Sequence, residues 1–265
     1  MLKNNNRQVI SRMAVKSLKS NRRRSLIMFV AVVLATFMLF SVFTAGITYF
    51  KMQKVQNLRL NGGKYDAIMY GLTKKQRELC EKDPDIEKTE IVVVCGFAEE
   101  TEKDKTPNVG FAWADDTYWK EIKKPAIEWV KGNYPTLENE VMVTEDALKA
   151  SGLEGLDVGD TFTMKYRDAN GSHTKEFRIS GMWEGYGDTK TFHVSKAFFD
   201  QSGYDIYDVA AASSRYFIDF KQKFMTQKEQ DAFIQSMNLE KQQSLFFLSD
   251  YSHAVEILLG MVGLY

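Results

Sequence analysis

Residues 26–50 read LIMFVAVVLATFMLFSVFTAGITYF, twenty-five positions without an Asp, Glu, Lys or Arg. Fourteen of them are Leu, Ile, Val or Phe. A helix of this length, rising about 1.5 Å per residue, reaches about 37 Å, against about 30 Å of hydrocarbon in a bilayer. Each such apolar side chain favours insertion by about 0.3 to 0.6 kcal/mol, several kcal/mol in all, and no ionised group opposes it. The stretch predicts a retained membrane-spanning helix. A cleaved signal peptide would carry an apolar region of about 7–15 residues before a small-residue site. This run is longer, and Thr44-Ala45-Gly46 is a poor site followed by more apolar residues. Nor does an ordinary core helix stay uncharged for so long.

Charge on either side gives the run a direction. Residues 1–24 hold eight Lys or Arg and no Asp or Glu. Removing those eight from the chain's 35 leaves 27 basic residues against 35 acidic ones after the span. The formal net charge of zero is therefore a sum of unlike regions and carries no meaning alone. Arg22, Arg23 and Arg24 abut the apolar run and act as topology anchors, holding that end in the cytoplasm. The larger region then lies outside the cell membrane. Before the anchors, Val9, Ile10, Met13, Ala14 and Leu18 recur at helical spacing among Arg12, Lys16 and Lys19. That pattern suits a helix lying on the inner membrane surface; a disordered basic tail is the alternative. Within the span, Ala31/Ala35 and Ser41/Ala45 have the spacing that permits close contact with another helix, although alanines can equally face lipid.

After the span the signals alternate between strand and helix. Thr73 and Gln76 form a capping box ahead of a short helix carrying Leu79. Ile91-Val92-Val93-Val94-Cys95 reads as a central strand. Thr144 opens another helix, with Ala147 and Leu148 on one face and Gly152 as its stop. Phe162, Met164 and Tyr166 alternate with polar residues, Asn170-Gly171 follows as a turn, and Phe177 and Ile179 alternate again, which predicts a hairpin. Tyr216, Ile218 and Phe220 give a further strand, and Thr226 with Glu229 a second capping box before Phe233 and Met237. No Pro/Gly/Ser-rich linker, repeat or low-complexity tract divides residues 51–249. The reading is α+β: residues 1–24 a basic amphipathic helix, 25–50 the span, 51–250 one mixed α+β extracytoplasmic domain, and 251–265 the start of a second, truncated span. Residues 254–265 are apolar except for Glu256, too short to cross a bilayer, so a closing core helix is the alternative.

The sequence offers little chemistry. His173, His193 and His253 have no partner at ligand spacing, so no metal site is expected. Gly152, Gly155 and Gly159 lack the Gly-Lys-Ser/Thr of a phosphate loop and read as turns. Asp83-Pro84-Asp85 is turn chemistry, and Asn170-Gly171-Ser172 is accounted for by the hairpin although it matches a glycosylation acceptor. Trp113, Trp119, Trp129 and Trp183 are scattered and read as core, with a hydrophobic groove as the alternative. Cys80 and Cys95 form either one bridge or a pair of buried thiols. No catalytic residue, cofactor site or nucleic-acid surface emerges.

Certain stretches resemble a known family. Met13-Ala14-Val15-Lys16-Ser17-Leu18-Lys19-Ser20-Asn21-Arg22 is similar to the basic entry helix of the FtsX-like, MacB-type permeases of ABC transporters. Gly155-Leu156-Asp157-Val158-Gly159-Asp160-Thr161-Phe162 resembles that family's hairpin entry, and Phe177-Arg178-Ile179-Ser180-Gly181-Met182-Trp183-Glu184 its closing strand. Gly62-Gly63-Lys64-Tyr65-Asp66 fits Gram-positive members. The resemblance implies a MacB-like periplasmic core domain and a permease that dimerises with itself or with another permease. It implies a separate cytoplasmic ABC ATPase that hydrolyses ATP, so the chain itself is not an enzyme. It also implies handling of peptides, antibiotics or lipid-linked substrates. Three further spans would follow the external domain, which makes the chain a fragment in this reading. The competing expectation is a single-pass anchored binding or sensor domain, and a weaker one an anchored extracellular enzyme.

Overall fold

The apolar run folds as part of one long helix. The computed structural model describes residues 6–99, 109–186, 190–207, 209, 213–222 and 225–248. The expected second span, with His253, lies outside them. The chain divides into two units, one ending at Gln56 and one beginning at Asn57. In the first, α1 (Asn6–Ser20) is the basic amphipathic helix, with Val9, Ile10 and Met13 exposed. Helix α2 (Arg22–Asn61) contains a 28-residue stretch, Arg22–Tyr49, long and apolar enough to cross a membrane. Along it Leu26, Phe29, Phe37 and Phe43 are each more than 60% exposed. The helix does not stop where the apolar run does. It continues through Lys51, Gln56 and Arg59 to Asn61, so the sequence boundary at Phe50 marks a change of surroundings rather than of backbone.

The second unit is a ten-stranded sheet with helices. Its elements are β1 (Ala67–Tyr70), α3 (Lys74–Lys82), β2 (Ile86–Ala98), β3 (Gly110–Ala114), a π-helical turn (Tyr118–Lys123), β4 (Ile127–Gly132), β5 (Glu140–Val143), α4 (Glu145–Ala150), β6 (Thr161–Asp168), β7 (Gly171–Gly185), β8 (Thr191–Val194), α5 (Lys196–Gln201), β9 (Ser214–Phe220), α6 (Gln227–Met237) and β10 (Ser244–Phe247). The strand order is β10-β1-β9-β2-β3-β8-β5-β7-β4, with β6 paired to both β2 and β7. Pairing is antiparallel except β3 with β8 and β5 with β7.

Local signals account for much of this. Both capping boxes close: the Thr73 hydroxyl accepts from the Gln76 N–H at 3.2 Å and Gln76 Oε1 from the Thr73 N–H at 2.9 Å, and Thr226 and Glu229 repeat the arrangement. On α3 the buried side chains are Gln76 and Cys80, while Leu79 stays 43% exposed. The Gln76 amide explains why, since it donates to Met237 O and Gln243 Oε1 and ties α3 to α6 and to the approach to β10. The hairpin β6–β7 forms as the alternation requires, but its turn sits one residue earlier than Asn170-Gly171. Asp168 pairs with Gly171, which leaves Ala169 and Asn170 as the loop. Neither has positive φ, and Asp168 Oδ1 accepts the Asn170 N–H at 2.8 Å. This is a turn with Asp first and Gly fourth, Gly171 taking a φ of 124° at the start of β7.

Buried side chains form two clusters. The larger holds Phe111, Phe177, Phe192, Phe198, Tyr166 and Ile218, with Phe111 and Phe177 ring centroids 5.4 Å apart. The smaller holds Ile68, Val92, Ala114, Tyr118, Ile122 and Phe217. Alternation along β9 is therefore not inside against outside. Tyr216 and Ile218 enter one cluster and Phe217 the other, because the turn carrying Tyr118 and Ile122 covers the second face. Cys80 and Cys95 are free, buried thiols, and burial pushes each up to about 12.

Candidate functional site

Three places on the chain bear on function: the apolar helix, its junction with the sheet, and a cleft at one edge of that sheet. Arg22, Arg23 and Arg24 occupy the exposed first turn of α2, where no acidic residue accompanies them. Cations at a helix N-terminus oppose the helix dipole by a few tenths of a kcal/mol each, so their placement serves something other than helix stability. Ala31, Ala35, Ser41 and Ala45 are all exposed on α2. At about 100° per residue they fall within an arc of roughly 120°, interleaved with Leu34, Met38 and Val42. Ser41 and Ala45 join Thr44 and Thr48 in a shallow recess rimmed by Phe37 and Tyr49, and Ala31 and Ala35 lie outside it. No other helix meets these four among the described residues.

The junction is built from the Gly62-Gly63-Lys64-Tyr65-Asp66 stretch. Gly62, at φ 65°, ends α2 in the left-handed conformation that glycine adopts without penalty. Gly63 lies so close to the π-helical turn that a Cβ there would sit 2.9 Å from Ile122 Cγ2 and 3.3 Å from Ile122 O. The Lys64 N–H donates to Ile122 O at 2.9 Å. Tyr65 stacks edge-on against Phe217 at 4.8 Å and its hydroxyl donates to Asn61 O at 3.3 Å. Asp66 then joins the sheet, its carboxylate accepting the Phe220 N–H at 2.8 Å.

Beside the junction is a cluster that the sequence did not reveal. Trp119 from the π-helical turn, Tyr134 after β4, Trp183 on β7 and His193 on β8 pack together with ring centroids 5.4 to 6.0 Å apart. Among the described residues, His193 Nδ1 and Trp183 Nε1 are buried polar atoms without a hydrogen-bond partner. Burial, and then the charge of Lys123, push His193 down to about 3, so it is neutral. Lys123 Nζ sits 4.6 Å from the centroid of the Trp183 ring and donates to Gly62 O at 3.1 Å. The π-helical turn is held at its other end by carboxylates. Asp115 accepts the Tyr118 N–H at 2.9 Å, and Glu90, pushed up to about 7 mainly by burial, accepts from Thr117. Of its rings, Trp119 and Trp183 are among the four tryptophans read as scattered core, and the glycine pair figures only in the family resemblance.

The cleft has a volume of about 640 Å³ and lies beside the edge strand β4, lined by Trp129, Lys131, Leu148, Lys149, Leu156 and Met182. Lys131 is engaged by Asp157 and Trp129 Nε1 by Glu184. His173, the histidine at the hairpin, pairs with Asp168 at 3.0 Å. Among the described residues no group of three His, Cys, Asp or Glu could hold a metal ion.

The sequence matches no family model and no curated protein. Three solved structures are similar in fold. One is a domain assigned to a permease protein from Porphyromonas gingivalis, 10% identical with a TM-score of 0.42, covering 70% of this chain and 90% of that one. Another is the periplasmic region of MacB from Actinobacillus actinomycetemcomitans, 9% identical with a TM-score of 0.39, covering 76% and 95%. A third is the extracellular domain of the noncanonic ABC-type transporter YknZ from Gram-positive bacteria, 6% identical with a TM-score of 0.40, covering 69% and 100%.

Proposed function

We propose that the chain is a permease subunit of an ABC transporter of the FtsX/MacB type. It couples a separate cytoplasmic ATPase to an extracytoplasmic α+β domain and takes part in export or handling of peptides, antibiotics or lipid-linked substrates. The observation that carries this reading is the unbroken helix α2, which passes from the arginine anchors through the apolar run and ends at the Gly62–Gly63 junction. Helix residues continue past the apolar run to Asn61. The order of the sequence motifs supports the same reading. In it the N-terminus is cytoplasmic, lipid surrounds α2, and Ala31, Ala35, Ser41 and Ala45 meet a second permease copy or a companion.

Gentle detergent extraction of the tagged protein from its own host membrane tests the proposal. An ABC ATPase subunit is expected to co-purify in stoichiometric amount, and its repeated absence overturns the reading. The β4 cleft favours a second reading, an anchored binding domain. That alternative predicts that the phenotype of deleting this gene is not reproduced by deleting any ABC ATPase.

A further inference from the structure

Asn-Gly occurs twice in the chain, at Asn61-Gly62 and at Asn170-Gly171. The dipeptide carries a chemistry of its own. The glycine main-chain nitrogen can attack Cγ of the preceding asparagine, because no Cβ on the glycine obstructs the approach. A bond forms between that nitrogen and Cγ, and the Cγ–Nδ2 bond breaks. The glycine N–H gives up its proton and ammonia departs, which leaves a five-membered imide. Water then adds to one of the two imide carbonyls and opens the ring, giving aspartate or its β-linked isomer, isoaspartate.

The two copies sit in different surroundings. Asn61 is half-buried at the end of α2. Its carbonyl accepts from the Tyr65 hydroxyl at 3.3 Å, the Gly62 N–H donates to Arg59 O at 3.3 Å, and Gly62 O accepts from Lys123 at 3.1 Å. The attacking nitrogen is therefore held in a bonded turn, with Gly63 packed against Ile122. Asn170 is exposed, in the loop of the β6–β7 hairpin. A Cβ at Gly171 would meet nothing within 4 Å, so water and base reach the peptide there. Gly171 also belongs to the last pair of its ladder, where fraying costs least. What holds Asn170 is its side chain. Nδ2 donates to Gln201 O at 2.9 Å, and the amide lies against Gly203, where a Cβ would fall 2.8 Å from Oδ1. Beside it the Ala169 N–H donates to Ser202 O at 3.1 Å. These contacts dock the hairpin tip on the turn that follows α5.

We propose that Asn170 is a deamidation site in the folded protein, that Asn61 is shielded from the same reaction, and that the new carboxylate at position 170 loosens the hairpin tip from residues 201–203. The loosening follows from the donors available. The amide Nδ2 donates to Gln201 O, and the ionised carboxylate that replaces it has no proton to give. An acceptor then faces an acceptor across a 2.9 Å contact. The chemistry needs only water and does not depend on any ATPase partner.

Peptide mass spectrometry on the full chain in detergent micelles, kept at mildly alkaline pH and sampled over days, is the test. Each asparagine is referred to its own rate in the chain unfolded in urea. In the folded protein the peptide carrying Asn170 should gain about one dalton as ammonia is lost. Its normalised rate should exceed that of the Asn61 peptide by about tenfold. Asn170→Asp, the product of one ring opening, should exchange its Ala169 amide about tenfold faster than the wild type. No mass gain at Asn170 in the folded protein, or a normalised rate at Asn61 equal to or above it, overturns the assignment of the site. Unchanged Ala169 exchange in Asn170→Asp overturns the loosening.

Discussion

Phe37 on α2 is 66% exposed, and Phe177 on β7 is completely buried. Phe37 lies in a run rich in Phe, Val and Leu and stays exposed, whereas Phe177 lies on a strand where polar residues outnumber apolar ones and is enclosed by Phe111, Phe162, Tyr166 and Phe198. With α2 in a membrane, as proposed, the difference is one of solvent. In the sheet unit, polar residues alternate with apolar ones along β6, so water on one side fixes which face turns inward. On α2 the run is apolar all round, which lets every direction face hydrocarbon and none face water. The helix runs on past the apolar stretch to Asn61, and the glycine pair Gly62–Gly63 follows it.

The comparison can be broken most strongly in the sheet unit. Phe177→Ala should destabilise that unit by about 3 to 5 kcal/mol, read as a shift in its unfolding midpoint, because a fully enclosed ring leaves a cavity. Phe37→Ala should leave the same midpoint unchanged. Conversely, Leu34→Arg should cost about 3 to 4 kcal/mol of membrane insertion, measured as the fraction of chain integrated, while the sheet unit keeps its fold. A next, smaller effect depends on pH. His193 is pushed from about 6.5 in the unfolded chain to about 3 by burial. The unfolded chain then binds more protons between those values, so this residue's contribution to stability is present above pH 6.5 and is lost as pH falls towards 3, by at most about 1.4 kcal/mol per unit. Glu90, pushed up to about 7, acts in the opposite sense between pH 4.5 and 7. Comparing melting temperatures of wild type and His193→Phe across pH 4 to 7 isolates the histidine, and the variant should show the shallower loss at the acid end. The smallest change is Thr226→Ala, which removes one capping box and should cost about 1 kcal/mol.

These contrasts also explain what could be read in the sequence. Thr73, Thr144 and Thr226 cap helices because the bonds they make reach only three residues along the chain. The hairpin was visible for the same reason, and its one-residue displacement arises because Asp168 captures the Asn170 N–H, a preference that competes with the Asn-Gly turn over a single position. The helix continued to Asn61 because Lys, Gln and Arg form helix as readily as apolar residues do, so only the surroundings change at Phe50. Long-range relations were hidden. Nothing near Gly110 announces its parallel partner at Thr191, and no periodicity links Gly62, Lys123, Trp183 and His193, which the fold brings together from distant parts of the chain. The four small residues of the span remain a pattern on one helix face, since their partner would be a second chain.

In the proposed orientation the sheet unit lies on the outer side of the cell membrane. Single cysteines placed at Ser11 on α1 and at Glu128 on β4, both exposed, test it in intact cells, because the native Cys80 and Cys95 are buried and free. A membrane-impermeant maleimide should label Glu128→Cys in intact cells and Ser11→Cys only after the membrane is opened. Labelling of Ser11→Cys from outside, or protection of Glu128→Cys until lysis, would contradict the account.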